Sequence, residues 1–199
     1  KKGDPEVLEM ALRAGDYLAT TITDDGRFQP MVDGQPTNPL DSHRWLYCLA
    51  EAYGLLEPFL AETRQQSWRR ALERGGSRLA EDIRRRIDRP RYTAPFLGTS
   101  PNHFGLWCKT VHRIGMVLGI DEWIELTTPG LHRFVREVEP GGYWAEHGGP
   151  STLYNHVYIR GLGLHYRFSG DERLLPALQA AAEYHQTFIY PGGFPVETV

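Results

Sequence analysis

Two parts of the chain combine residue types that can bind a carboxylate or move a proton. In the first, Asn102-His103 follows Ser100-Pro101, a pair typical of a helix N-terminus. The unpaired N–H groups and the partial positive charge of such an end favour an anion. Asn102 and His103 are therefore candidates for binding a substrate carboxylate.

The second part, residues 144–160, is rich in ionisable side chains. Glu146 and His147 come first, and Tyr154 and Tyr158 follow. Because the two tyrosines are four residues apart, they share a face of the predicted helix. A tyrosine near a cation can act as general acid or general base. Glu146, His147, Tyr154 and Tyr158 therefore form a second constellation of side chains that could take part in chemistry.

Further side chains near these motifs are candidates for contacting a sugar. Aromatic rings can stack on sugar rings, although a single tryptophan is more often part of a core. The candidate substrate-binding residues are Trp107, Trp144, Glu146, Asn155, His156 and Arg160. We assign structural roles to His112, His165, Tyr17, Tyr47 and Tyr184.

Motifs for several other chemistries are missing from the sequence. It contains no His-Glu-x-x-His, no Cys-x-x-Cys, no phosphate-binding glycine loop and no Gly-x-Ser-x-Gly elbow. We therefore expect neither a metal ion nor another cofactor. Cys48 and Cys108 hold equivalent repeat positions, where small-residue packing explains them better than a catalytic thiol.

The elements that carry these residues form a repeat. Aligning His43, His103 and His156 gives spacings of 60 and 53 residues. Each copy has an aromatic segment, a Gly/Pro-rich loop and a helix that is apolar nearly all round, which is typical of a buried inner helix. The predicted inner helices are 41–56, 102–119 and 154–168, and the predicted outer helices are 6–22, 60–88, 121–139 and 171–190.

This repeat predicts an all-α fold in which helical hairpins form part of an (α/α) toroid. Residues 1–199 would be a single toroid segment with three hairpins, and residues 192–197 resemble the start of a fourth. We therefore expect the chain to be a piece of a larger protein, with the missing remainder of the toroid as a possible partner.

The order of these motifs resembles the polysaccharide lyases of the α/α toroid type, namely the alginate, heparin/heparan (heparinase II/III-like) and chondroitin lyases. The resemblance covers roughly residues 92–171, and the matching residues are Asn102, His103, Trp144, His147, Gly148, Pro150, Tyr154 and Tyr158. The chain lacks the C-terminal β-sheet domain usual in that group, and it has fewer hairpins than a complete toroid.

The resemblance implies β-elimination on a uronate-containing polysaccharide. Asn102 and His103 would neutralise the uronate carboxylate and stabilise the enolate-like anion. Tyr158 would be the first choice for acid or base and Tyr154 the second, with His147 assisting. Arg160 would lower the tyrosine pKa or bind a neighbouring uronate.

Three alternatives stay open. A glycoside hydrolase on a similar toroid would use carboxylates, for which Glu146, Asp41 and Glu197 are candidates. A non-catalytic sugar-binding module needs no acid or base. A terpenoid-cyclase-like toroid is disfavoured because the sequence has no Asp-rich motif.

Charge and hydropathy restrict the partners. The formal net charge is −3, and the arginines of residues 64–91 alternate with acids, which is typical of a solvated outer helix rather than a nucleic-acid interface. No apolar run approaches the roughly 20 residues that span a bilayer. We expect an anionic polysaccharide or oligosaccharide as ligand, no nucleic acid and no membrane. A secreted or periplasmic location fits a polymeric substrate, and a cytoplasmic one stays possible.

Overall fold

The computed structural model describes residues 4–146, 149–190 and 193, and this part of the chain is mostly helical. The all-α prediction is confirmed. The α-helices are α1 Pro5–Thr21, α2 His43–Leu56, α3 Glu62–Arg84, α4 Ala94–Leu97, α5 Pro101–Leu118, α6 Asp121–Arg136, α7 Thr152–Ser169 and α8 Leu175–Gln186. Two 3₁₀ turns, Glu57–Phe59 and Glu172–Leu174, connect neighbouring helices.

Local sequence signals fix several helix ends. The Asp4 carboxylate accepts a hydrogen bond from the Glu6 N–H at 2.9 Å and caps α1, whose first residue is a proline. Ser151 caps α7, and Gly170 ends it in the left-handed conformation with φ 66°. The predicted helix start at residue 171 is a 3₁₀ turn that leads into α8.

A short antiparallel hairpin follows α1. Strands β1 (Met31–Val32) and β2 (Gln35–Pro36) pair across a turn in which Asp33 has φ 50° and Gly34 has φ 75°. This is the Asp-Gly turn that hairpins favour, because both central residues need positive φ. The repeat pattern predicts only a loop for this segment.

The chain divides into two compact units. The first comprises Lys1–Asp82 with Thr110–Ile124, and the second comprises Ile83–Lys109 with Glu125–Val199. The single toroid segment stays a prediction.

The core of the first unit lies along one face of α3. Trp68 and Leu72 are fully buried there, together with Leu46 and Leu49 of α2. The arginines of α3 lie on its other face, where Arg69 pairs with Glu73 at 2.8 Å. The arginine-rich segment is thus amphipathic, as the charge pattern predicts.

The prediction of uniformly buried inner helices holds for α5 and is wrong for α2 and α7. Every residue of α5 is buried or half-buried. On α2, Trp45 is 38% exposed and Leu55 is 72% exposed, while Cys48 is also exposed. Because Cys48 is exposed, the packing role predicted for it does not apply. Tyr17, predicted to be structural, is 44% exposed.

An aromatic cluster forms much of the core of the second unit. Tyr92 packs edge-on against Phe104 at a centroid distance of 5.1 Å and contacts Phe134 at 5.2 Å. The Arg133 guanidinium lies 4.1 Å from the centre of the Tyr92 ring and donates to the Arg89 carbonyl at 2.6 Å. These contacts attach the segment before α4 to α6.

Cys108 provides a test of this core through pH. Burial raises the pKa of its thiol well above the ordinary 9.0. The stability that this thiol contributes is therefore complete below pH 9, and it is lost as pH rises, since the unfolded chain then releases a proton that the folded chain keeps. We expect the free energy of unfolding to fall above that pH, and Cys108 to contribute about 1.4 kcal/mol per pH unit.

Denaturant titrations from pH 7 to pH 10.5 would measure this slope. Cys108→Ala should make it shallower, and Cys48→Ala, which removes an exposed thiol, is the matched control. Equal slopes for the wild type and Cys108→Ala would contradict the prediction.

Among the described residues, none of the helices combines the length and the apolar character needed to cross a bilayer.

Candidate functional site

Three of the residues singled out in the sequence meet in one hydrogen-bonded cluster of the second unit. The side-chain amide of Asn102 donates to Oε1 of Glu146 at 3.0 Å. The hydroxyl of Tyr158 donates to Oε2 of the same carboxylate at 2.5 Å. We call this group the Asn102–Glu146–Tyr158 cluster. Glu146 is 44 residues from Asn102 and 12 residues from Tyr158 in the chain.

Each member is positioned by a different element. Asn102 is the second residue of α5, and Tyr158 lies in the second turn of α7. Glu146 lies in the loop before α7, where its backbone exchanges two hydrogen bonds with Gly149, at 3.0 and 3.1 Å. Glu146 is therefore held in place by hydrogen bonds of its backbone as well as of its carboxylate.

Asn155 fixes the course of this loop from the first turns of α7. Its side chain accepts from the Trp144 N–H at 3.3 Å and donates to the Gly142 carbonyl at 3.4 Å. Asn155 is fully buried. We therefore reassign it from substrate binding to loop positioning, because no polar atom of its side chain is left facing solvent.

The cluster is shielded from water. Asn102, Glu146 and Tyr158 are 5%, 3% and 4% exposed. The Trp144 indole stacks on the Tyr158 ring at 5.0 Å, and its N–H donates to the Phe134 carbonyl at 2.8 Å. Hydrogen bonds in such a site are electrostatically stronger than in water, and leaving one of them unmade is costly.

The environment of Tyr158 keeps its hydroxyl protonated. Burial raises the pKa of Tyr158 far above its ordinary value, and the hydrogen bond and negative charge of Glu146 raise it further. In this arrangement Tyr158 is a proton donor and Glu146 is the acceptor. The cluster could therefore supply a general acid, and use of Tyr158 as a base would require the Glu146 charge to be neutralised or moved away.

The space beside the cluster is small. A cavity lined by Gly105, Leu106, Gly161 and Tyr158, among others, offers about 10 Å³ to the centre of a water molecule. That is room for about one water. A sugar ring does not fit, so substrate contact with the Tyr158 hydroxyl requires a rearrangement of the surrounding side chains or of the loop before α7.

The other predicted site residues are distributed unevenly. His103 and Tyr154 are half-buried and both form contacts, while His156 and Arg160 are exposed on α7. His156 lies edge-on to His185, with 6.3 Å between the ring centres. His147 lies outside the described residues, as does Glu197.

Trp107 and Trp144 do not offer a ring face for a sugar in this conformation. They are only 7% and 2% exposed, because Trp107 packs against Phe104 and Trp144 against Tyr158. We therefore reassign both to core packing. Asp41, a carboxylate considered for a hydrolase, lies in the first unit with Oδ1 3.0 Å from Nδ1 of His43.

A further polar pair lies in the second unit. Nε2 of His132 on α6 lies 2.6 Å from Oδ2 of Asp171, which precedes the second 3₁₀ turn. Hydrogen bonds from Arg173 and His132 hold the pKa of Asp171 well below its usual range. The two partners are 39 residues apart and belong to no shared motif, so no local signal indicates the pair. Across the described ranges, no group of three His, Cys, Asp or Glu side chains could hold a metal ion.

Comparison with known proteins gives no further guide. Neither a protein-family model, nor a curated protein, nor a solved structure matches this chain.

Proposed function

We propose that the chain is part of a polysaccharide lyase that cleaves a uronate-containing polysaccharide by β-elimination. The observation that supports this most directly is the Asn102–Glu146–Tyr158 cluster. An amide donor at the start of one helix and a phenol donor on another converge on a single carboxylate. A uronate carboxylate needs hydrogen-bond donors of this kind, and in the proposal Asn102 is one of them.

The reaction makes definite demands on the protein. A base removes the proton on the carbon next to the uronate carboxylate, the bond to the 4-linked oxygen breaks, and a carbon–carbon double bond forms. An acid returns a proton to the leaving oxygen. Donors aimed at the carboxylate stabilise the intermediate anion. In the proposal Asn102 and His103 supply these donors, and Glu146 holds the Asn102 amide in place until the substrate carboxylate arrives.

The proton-transfer roles follow from the protonation of Tyr158. Because its hydroxyl is held protonated beside Glu146, we assign Tyr158 first to the acid step. Tyr154, four residues earlier on α7, stays the second candidate, and His147 stays a candidate for assisting the transfer.

The wider setting is part of the same proposal. The helical hairpins would form part of an (α/α) toroid, and an anionic polysaccharide or oligosaccharide would be the ligand. A secreted or periplasmic location suits such a polymer.

A glycoside hydrolase is the second candidate, and the central place of Glu146 favours it. Glycoside hydrolases use carboxyl side chains as acid and base, and Glu146 is a carboxyl group at the centre of the buried cluster. A hydrolase needs a second acid or base, however, and the side-chain hydrogen bonds described for Glu146 go to an amide and a phenol. This difference makes the lyase our first choice.

Activity on alginate, heparan sulfate and chondroitin sulfate tests the proposal. A lyase product carries a conjugated uronate that absorbs ultraviolet light, so its formation can be followed directly. We expect Tyr158→Phe to reduce the rate by about 100-fold or more, because the proton donor is lost. Tyr166→Phe, on the same helix but outside the cluster, should stay within about twofold.

The remaining outcomes discriminate among the candidates. Loss of activity in Glu146→Gln with full activity in Tyr158→Phe would favour the hydrolase. Binding of oligouronates with no product after long incubation would favour a non-catalytic binding module. If the chain neither binds nor cleaves any of the three polymers, the proposal is overturned.

A further inference from the structure

A cleft in the first unit has the size of a small-molecule site. It is open to solvent and has a volume of about 790 Å³ between the C-terminal half of α1, the loop that follows it, and α3. Small-molecule sites typically have volumes of about 300–1,000 Å³. We call it the α1–α3 cleft, and its polar lining includes Tyr17, Thr20, Asp24, Ser67, Arg70 and Arg74.

Two arginines give the cleft its positive charge. Arg70 and Arg74 are four residues apart on α3 and therefore lie on one face of that helix. Asp24, which is exposed, is the carboxylate in the lining. Two other carboxylates of the first unit form ion pairs outside the cleft. Asp16 pairs with Arg64 at 3.0 Å, and Asp25 pairs with Arg27 at 3.2 Å.

The guanidinium of Arg74 is incompletely satisfied within the described chain. Its Nη2 donates to the Ile22 carbonyl at 3.0 Å, which fixes the side chain against the loop. Its Nε is buried and has no acceptor among the described residues. A buried donor on a charged group is costly to leave unpaired, so Arg74 retains hydrogen-bonding capacity that its bond to Ile22 does not use.

We propose that the α1–α3 cleft binds a small molecule carrying an oxyanion group, namely a carboxylate, sulfate or phosphate. Arg74 and Arg70 would contact the anion, since guanidinium groups present parallel N–H donors that match such oxygens. The Thr20 and Ser67 hydroxyls and the half-exposed Tyr17 ring would contact the rest of the ligand. This site belongs to the first unit and does not depend on the proposed lyase chemistry.

Isothermal titration calorimetry of the 199-residue chain tests the inference with three probes: sodium glucuronate, inorganic phosphate and inorganic sulfate. We expect saturable binding of at least one probe, weakened by added sodium chloride. Arg70→Gln should weaken it by about tenfold, a loss typical of one charged hydrogen-bonding partner. Asp24→Asn should strengthen it by about twofold, because a like charge is removed.

Arg69→Gln is the matched control. Arg69 is adjacent to Arg70 but pairs with Glu73 and does not line the cleft, so this variant should bind like the wild type. Arg74→Gln should lose binding as well. Because Arg74 also donates to the Ile22 carbonyl, thermal unfolding of that variant must be measured to detect a loss of stability. The result for Arg70→Gln decides whether the inference holds, because Arg70 is exposed.

The probes also separate the sources of the anion. Binding of glucuronate alone would identify a sugar acid, and binding of phosphate or sulfate alone would identify a phosphorylated or sulfated ligand. No saturable binding of any probe, or equal losses in Arg70→Gln and Arg69→Gln, would overturn the inference. Lyase activity without binding of any probe would support the proposed function and overturn the inference of an anion site in the α1–α3 cleft.

Discussion

Replacing Glu146 with alanine should lower the free energy of unfolding by about 3–5 kcal/mol. The substitution removes the shared acceptor of the Asn102–Glu146–Tyr158 cluster. The Asn102 amide and the Tyr158 hydroxyl would then be buried without partners, and the lost side-chain atoms would leave a cavity. Urea unfolding followed by far-ultraviolet circular dichroism would measure the change.

Glu146→Gln is the matched control for this loss. The glutamine oxygen can still accept from Asn102, and its amide group can donate to the Tyr158 hydroxyl, which then acts as acceptor. We expect a cost of about 1 kcal/mol. If Glu146→Ala costs no more than Glu146→Gln, the cluster does not stabilise the second unit in the way described.

Gly15→Ala should lower the free energy of unfolding by about 2–4 kcal/mol. A Cβ at this position of α1 would meet the Trp68 ring at less than 3.0 Å, closer than real Cβ atoms approach their neighbours. Trp68 cannot easily move aside, because it is fully buried and its N–H donates to Asp16 at 2.9 Å. Overpacking at such a contact shifts the backbone of the helix.

Gly163→Ala, inside α7, should have the opposite sign. A Cβ there would meet nothing within 4 Å. Alanine restricts the unfolded chain and favours the helix, so stability should rise by about 0.5–1 kcal/mol. Thermal unfolding of both variants provides the comparison. A loss of stability in both would mean that helix position, rather than contact with Trp68, decides the outcome.

Features set by local chemistry could be predicted from the sequence. Asp4-Pro5 starts α1, and Gly170 ends α7 in the conformation that glycine adopts without a Cβ clash. The apolar pattern that begins at Asn102 predicted the burial of α5. The Asp33-Gly34 dipeptide is likewise a local signal for the hairpin turn.

Features set by distant partners could not be predicted in the same way. The choice of Asn102 as partner for Glu146 depends on how α5 and the loop before α7 meet, and residues 44 positions apart carry no periodic signal for that. The burial of Trp144 and the exposure of Leu55 likewise depend on which helix faces find neighbours. Residue type alone predicted that Trp144 would stack on a sugar and that α2 would be a buried inner helix.

The stacking of Trp144 on Tyr158 also makes the cluster optically observable. The indole lies in an apolar environment with its N–H bonded to a carbonyl, 5.0 Å from a tyrosine that can transfer excitation to it. Separation of these two rings by water or ligand entering at Glu146 would shift the tryptophan emission to longer wavelength and reduce the transfer. Because the chain has five tryptophans, the difference in emission between the protein and its Trp144→Phe variant would report whether this buried site is closed or open.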